Sequence, residues 1–295
     1  METVKLTISE NDQGRTIEAV LKERYSMSRS LIRKIKREGQ VYLNGNPVFL
    51  IERVGKGDIL VVVINSEKGS DILPEEIPLK IIYEDEDVIA VDKPPGMIVH
   101  PVRGERENTL ANAVIGYWLK KGKRNPVYRP VYRIDRDTSG IVLVAGTRMA
   151  HLSLDLQLRE RIMKRKYIAI AGGLVFNNYG VINEPIGRKK GSIVEREVTG
   201  SGSVSVTHYS VIKRLPDIEA TVLEVVLETG RTHQIRVHMS HIGHPLLGDT
   251  LYGGNRDLIK RQALHSHRAE FNHPKTGERI VLKSDLPEDM KKLAF

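Results

Sequence analysis

A reversal of charge along the chain limits what it can fold into. Residues 24–37 hold Arg24, Arg29, Arg33, Lys34, Lys36 and Arg37 with no acid among them, whereas residues 67–90 hold eight acids against Lys68 and Lys80. So abrupt a shift marks a boundary between units. The length of 295 residues agrees, since a domain takes roughly 150. Residues 65–78, with Ser, Gly, Asp and two prolines, have the composition of a linker. The expected division is a first unit over 1–66, a linker over 67–78 and a larger domain over 79–295.

Hydrophobic residues make up 40% of the chain and charged residues 28%, the balance of a soluble globular protein. The longest purely apolar run, 59–64, is six residues, far short of the roughly twenty that cross a bilayer. Residues 1–10 are polar and lack the apolar stretch of a signal peptide. With no cysteine, disulfide frameworks, thiolate zinc sites and cysteine nucleophiles are excluded. A cytoplasmic location is expected. The net charge of +9 suggests a polyanionic partner without identifying one.

In the first unit, Ile17, Val20 and Leu21 recur at helical spacing, and a second helix is expected from Ser28 as N-cap to Gly39. Leu31, Ile32 and Ile35 form its apolar face, leaving Arg29, Arg33, Lys36 and Arg37 largely on the others. A charge run is usually only a solvated face. Cations with no acid among them, however, forgo the alternating pairs that stabilise an isolated helix, which favours phosphate binding. A hairpin turning at Asn44-Gly45 and a strand over 59–64 complete the unit. Two short helices and a hairpin in this order, with Ser-Arg-Ser-Leu-Ile before the basic run and Gly-Gln-Val-Tyr-Leu-Asn-Gly after it, resemble the S4 RNA-binding domain over about residues 14–64. The likeness implies that Arg29, Arg33, Lys34, Lys36 and Arg37 contact RNA phosphates.

From residue 79 the pattern mixes strand-like runs (79–83, 88–92, 140–145, 166–171, 221–227) with helix-like ones (110–119, 149–161). Without strict alternation, this predicts an α+β domain on a mainly antiparallel sheet, flanked by helices and loops. Residues 177–205, rich in Gly, Ser and basic residues, are expected to be irregular. Four histidines, His233, His238, His241 and His244, raise the question of a metal. No thiolate or suitably spaced carboxylate completes a set and Arg236 lies among them, so no metal is expected.

Two segments are better candidates for chemistry. In residues 132–140, Tyr-Arg-Ile-Asp-Arg-Asp-Thr-Ser-Gly runs into an apolar strand and sets Asp135 at an element edge, although Asp, Thr, Ser and Gly are also ordinary turn residues. In residues 229–238 a strand ends at Gly230 and polar groups crowd its exit, which is costly unless they are paired, solvated or used.

Together, Arg133-Ile134-Asp135-Arg136-Asp137-Thr138-Ser139-Gly140, Lys166-Tyr167, the run from Gly230 to His238, Gly243 to Asp249 and Gln262 to His265 resemble the RluA-type pseudouridine synthases, some of which carry an S4-like domain ahead. The resemblance implies isomerisation of uridine to pseudouridine in structured RNA, with no cofactor and no metal. It assigns Asp135 as the reacting carboxylate, Arg231 as the cation that keeps it ionised, Tyr167 as the ring that stacks on uracil, and Arg133 as the group that fills the space left by the flipped base. Tyr132 stands where many members have histidine. Large-subunit ribosomal RNA is the expected substrate and the protein is expected to be a monomer. Transfer RNA, a non-catalytic RNA-binding or ribosome-assembly role, and a nucleoside or glycoside hydrolase remain as alternatives.

Overall fold

A computed structural model describes residues 2–25, 27–64 and 71–294. The first unit begins with β1 (Glu2–Thr7), followed by α1 (Ile17–Ala19), which runs on into a wide turn over Val20–Arg24. Next come α2 (Arg29–Glu38), β2 (Gln40–Leu43), β3 (Asn46–Pro47) and β4 (Ile59–Ile64). The Ser28 hydroxyl accepts from the Leu31 amide at 3.2 Å, the cap expected of a serine there. Asn44 and Gly45 both take left-handed backbone angles, φ 52° and 85°, as a two-residue hairpin turn demands.

The four strands form an antiparallel sheet in the order β1-β4-β2-β3. Leu31, Ile32 and Ile35 of α2 join Val4, Ile17, Leu21, Leu60 and Val62 in a separate core. The basic helix is less bare than its sequence suggests. Folding brings Glu18 of α1 to Lys36 at 2.7 Å, and Arg37 pairs with Glu38, the next residue of the helix.

The expected linker falls partly outside the described residues, since 65–70 are not described. Its remainder is pinned to the next domain: the Asn112 amide donates to the Leu73 carbonyl at 2.8 Å, and the Glu75 amide donates to the Asn112 carbonyl at 3.1 Å.

The larger domain begins with β5 (Ile81–Glu84), β6 (Val88–Lys93), α3 (Leu110–Lys120), β7 (Arg129–Pro130), β8 (Ser139–Ala145) and α4 (Arg148–Arg159). β9 (Lys164–Gly172), β10 (Tyr179–Asn183), β11 (Ile186–Arg188), β12 (Arg196–Val198), β13 (Val206–Leu215) and β14 (Ala220–Leu227) follow. α5 (Gln234–His241), β15 (Leu264–Asn272), β16 (Arg279–Lys283) and α6 (Glu288–Ala294) close it.

One sheet runs β10-β13-β14-β9-β15-β8-β6-β5, with β16 beside β15 and β7 beside β8. Among the described residues only β8 and β15 pair in parallel, so the domain is α+β and mainly antiparallel. Residues 177–205 depart from expectation. They contain β10, β11 and β12, and their glycines serve close strand approach: a Cβ on Gly187 would meet Thr199 at 2.5 Å, and one on Gly202 would meet Ile186 backbone at 2.5 Å.

The two units touch through α4, where Met149 and Leu152 pack against the core of the first. No described helix is long and apolar enough to cross a membrane.

Candidate active site

The loop from β7 to β8 carries Arg133, Ile134 and Asp135. Buried Ile134 anchors it, and the Thr138 amide donates to the Asp135 carbonyl at 3.2 Å, closing a turn that leaves the Asp135 side chain partly accessible. Gly140 is required where the loop enters the sheet. It has φ 107°, and a Cβ there would fall 2.3 Å from the Ser266 carbonyl oxygen of β15.

Opposite lies the exit of β14. Gln234, at the start of α5, ties it down: its carbonyl accepts from the Arg231 amide and the Thr229 hydroxyl, and its amide donates to Val206 and Thr207. This fixes the first turn of α5, so His233 and Arg236, three residues apart, face the same side.

Arg236 is the cation against Asp135. Its Nη1 donates to Asp135 Oδ2 at 3.0 Å, while its Nε and Nη2 grip Asp249 at 2.7 and 2.8 Å. Arg236 and Asp249 are 7% and 2% exposed. Burial works against the guanidinium, but the Asp249 and Asp135 carboxylates outweigh it and push its pKa up. The expectation of Arg231 in this role is therefore corrected. Arg231 is exposed ahead of the helix, where its Nε donates to the Val204 carbonyl at 3.3 Å, whereas position 236 lies on the helical face turned towards Asp135.

His233 Nε2 lies 3.9 Å from Asp135 Oδ1, and its Nδ1 hydrogen-bonds the Tyr252 hydroxyl at 2.8 Å. Its left-handed backbone, φ 59°, is uncommon outside glycine and is held by that anchor. Burial lowers its pKa, so the imidazole is neutral at neutral pH.

Tyr167, on β9, is 3% exposed and shares a narrow cavity of about 60 Å³ with Asp135, His233 and Arg236. Burial raises its pKa, against the pull of Arg165, and the hydroxyl keeps its proton. Tyr132 is also buried, with its hydroxyl donating to the Ile141 carbonyl at 3.2 Å. The substitution for histidine thus lies beneath the loop, as a packing group.

The narrow cavity adjoins a groove of about 930 Å³ lined by Arg133, Arg159, Arg161, Arg165, Arg196 and Arg231. Arg133 is exposed on its wall, 3.4 Å from His100 Nε2. Arg29, Arg33, Lys34, Lys36 and Arg37 lie on α2 and border neither cavity. His238 and His244 are occupied elsewhere: His238 bonds Thr207 and the Glu184 carbonyl, and His244 bonds the Gly172 carbonyl.

Sequence reasoning thus placed Asp135, Tyr167, Arg133 and Arg231 around one cleft but missed Arg236, Asp249, His233 and Arg165. Arg236 stands in the same motif as Arg231, and the start of α5 at Gln234 is what turns it towards Asp135.

Residues 87–241 match the family described as RNA pseudouridylate synthase. The chain is 41% identical to the RNA pseudouridine synthase YlyB of Bacillus subtilis, over 99% of this chain and 97% of that one. It is 40% identical to ribosomal large subunit pseudouridine synthase D of Pseudomonas aeruginosa, over 89% and 85%. Among solved structures, human RNA pseudouridylate synthase domain containing 1 superposes with a TM-score of 0.59 at 25% identity, covering 75% of this chain and 86% of that one. The chain belongs to the RNA pseudouridine synthases.

Proposed function

We propose that Asp135 is the carboxylate on which the isomerisation turns, and that the protein modifies uridines of large-subunit ribosomal RNA. One observation carries the first part: the Asp135 carboxylate faces a narrow pocket shared with the buried Tyr167 and is met by a cation that a second carboxylate fixes in place. The relatives named ribosomal large subunit pseudouridine synthase D support the second.

The reaction breaks the N1–C1′ bond and joins C5 to C1′. The C5 proton leaves to solvent and N1 gains a proton, so there is no net redox change and the reaction itself calls for no cofactor or metal. A carboxylate suits a centre where positive charge develops on a sugar carbon. Arg236 favours the ionised form of its neighbour by charge and hydrogen bond. Tyr167, protonated and packed at the pocket wall, offers a ring for uracil and a hydroxyl for proton movement.

The base must leave its stack to reach this pocket. Arg133, a planar cation on the groove wall, is suited to fill the gap it leaves. Arg231 serves the groove as an RNA contact. The first unit, read as S4-like, adds affinity through Arg29, Arg33, Lys34, Lys36 and Arg37 on α2. In this reading the protein works as a monomer in the cytoplasm.

RNA tritiated at uracil C5 should release tritium on incubation with the protein. Asp135→Asn should abolish release while changing RNA affinity little. If no cellular RNA pool releases tritium with the wild type, the isomerase reading fails. If the variant still turns over, the assignment of Asp135 fails.

A further inference from the structure

Arg165 is 5% exposed, and among the described residues no carboxylate pairs with it. Two other buried arginines are met by acids: Arg236 holds Asp249 and Asp135, and Arg261 holds Asp289 through two bonds of 2.7 and 2.9 Å. Arg165 instead lies over the Tyr132 ring, 5.0 Å from its centre, and meets the neutral Tyr167 hydroxyl. A ring face offsets only part of the cost of burying a cation. The remaining lobe of the guanidinium borders both the wide groove and the narrow pocket, beside Gly230, where an added Cβ would come within 3.3 Å of its Nη2.

That junction is where a flipped nucleotide must turn, its base passing inward and its backbone remaining in the groove. We propose that Arg165 is the phosphate receptor for the target nucleotide, completing its own missing ion pair with one of the two phosphates that flank the uridine drawn into the pocket. The proposal rests on the reading of Asp135 as the reacting carboxylate and adds to it the anchor that fixes how far the nucleotide enters. A guanidinium presents parallel donors that match two phosphate oxygens. Tyr132 holds its plane, and Gly230 leaves the approach open. The exposed Arg133 and Arg231 border the same junction, but neither is buried without a counter-charge.

The test uses the full chain and a loop-containing hairpin of large-subunit ribosomal RNA, chosen as the one the wild type binds most tightly. Versions of it carry a single uncharged methylphosphonate linkage 5′ or 3′ to each loop uridine. Affinity is read by fluorescence anisotropy and turnover by C5 tritium release. Wild type should lose about tenfold or more in affinity at one linkage, the size expected for one charge-assisted contact. Arg165→Met should lose a similar factor on native RNA and nothing further when that linkage is neutral. Arg165→Lys, which keeps the charge, should retain most of the wild-type discrimination.

If the wild type treats every neutral linkage like the native one, the proposal falls, whether or not the variants fold. It falls equally if Arg165→Met discriminates between linkages as the wild type does. Because affinity is measured apart from turnover, a protein that shows this pattern yet releases no tritium from any cellular RNA pool refutes the isomerase reading and leaves the phosphate site standing.

Discussion

Positive charge is held in opposite ways at the cleft and on α2. In the cleft, Arg236 is enclosed, bonded to two carboxylates and stacked 4.9 Å from the centre of the Tyr252 ring, so it has one position. On α2, Arg29, Arg33 and Arg37 are exposed, and Arg37 bonds the glutamate beside it. A desolvated cation interacts strongly with whatever is placed against it, at the cost of needing every partner. A solvated one is screened by salt but adds attraction over a wide area. The enclosed cation is thus suited to the proposed chemistry, and the solvated ones to the proposed sequence-independent attraction for RNA.

The largest effect should come from breaking the enclosed cation. Arg236→Met leaves Asp249 buried without its partner, which costs about 3–5 kcal/mol. At two to four degrees per kcal/mol in a chain of this size, the melting temperature should fall by roughly 10 °C. Arg236→Lys keeps the charge but cannot bridge both acids with a rigid fork, so its fall should be smaller. Turnover should drop by about 100-fold even for the lysine variant, because the carboxylate is no longer held in place. Calorimetry and tritium release on the same samples check both. A lysine variant with full activity would show that charge alone suffices.

A second enclosed cation gives a middle-sized effect with a sign in pH. Lys93 is fully buried, and its ammonium donates to the carbonyls of Pro94, Met97 and Arg136 at 2.7, 2.8 and 2.8 Å, tying the end of β6 to the loop that carries Asp135. Burial pulls its pKa down to about 7, with Asp137 and Asp135 pulling the other way. Unfolded, the same lysine titrates near 10.4. Between those values the unfolded chain binds more protons, so this group makes stability rise as pH increases from about 7 to about 10. Lys93→Met should flatten that rise. Denaturant midpoints for both proteins at pH 6, 8 and 9.5 measure it, and parallel curves would refute it.

The same contrast governs what the sequence reveals. The caps and turn of the first unit, Ser28 and Asn44-Gly45, act over three or four residues, and the helix and hairpin stand where they were expected. The fold class followed from runs long enough to declare their period. β10 to β12 were hidden because they are short, partly exposed strands whose glycines resemble loop residues until their close neighbours are known. At the site, the edge position of Asp135 was legible from its place between an apolar anchor and a glycine that must enter the sheet, while its proposed role rested on the family resemblance. Its partner was not. Arg231 and Arg236 belong to one motif, and only the start of α5 at Gln234 decides which of them faces Asp135. Arg165 was hidden for a different reason: its distinction is a missing counter-charge, which no local pattern encodes.

The smallest effect belongs to the exposed cations of α2. Deleting the whole first unit would confuse the outcome, because Met149 and Leu152 of α4 pack against its core and would be uncovered. Point substitution avoids this. Arg29→Gln with Arg33→Gln removes two solvated charges from a helix whose apolar face is untouched. If both meet phosphates, the slope of log affinity against log salt should become shallower by about 1.4 to 1.8, with affinity falling several-fold at low salt. Turnover at saturating RNA should not change, since neither residue borders the cleft. A reduced turnover with an unchanged salt slope would reverse the comparison: α2 would then act on the geometry of the bound RNA, and the division of labour between enclosed and solvated charge would not hold.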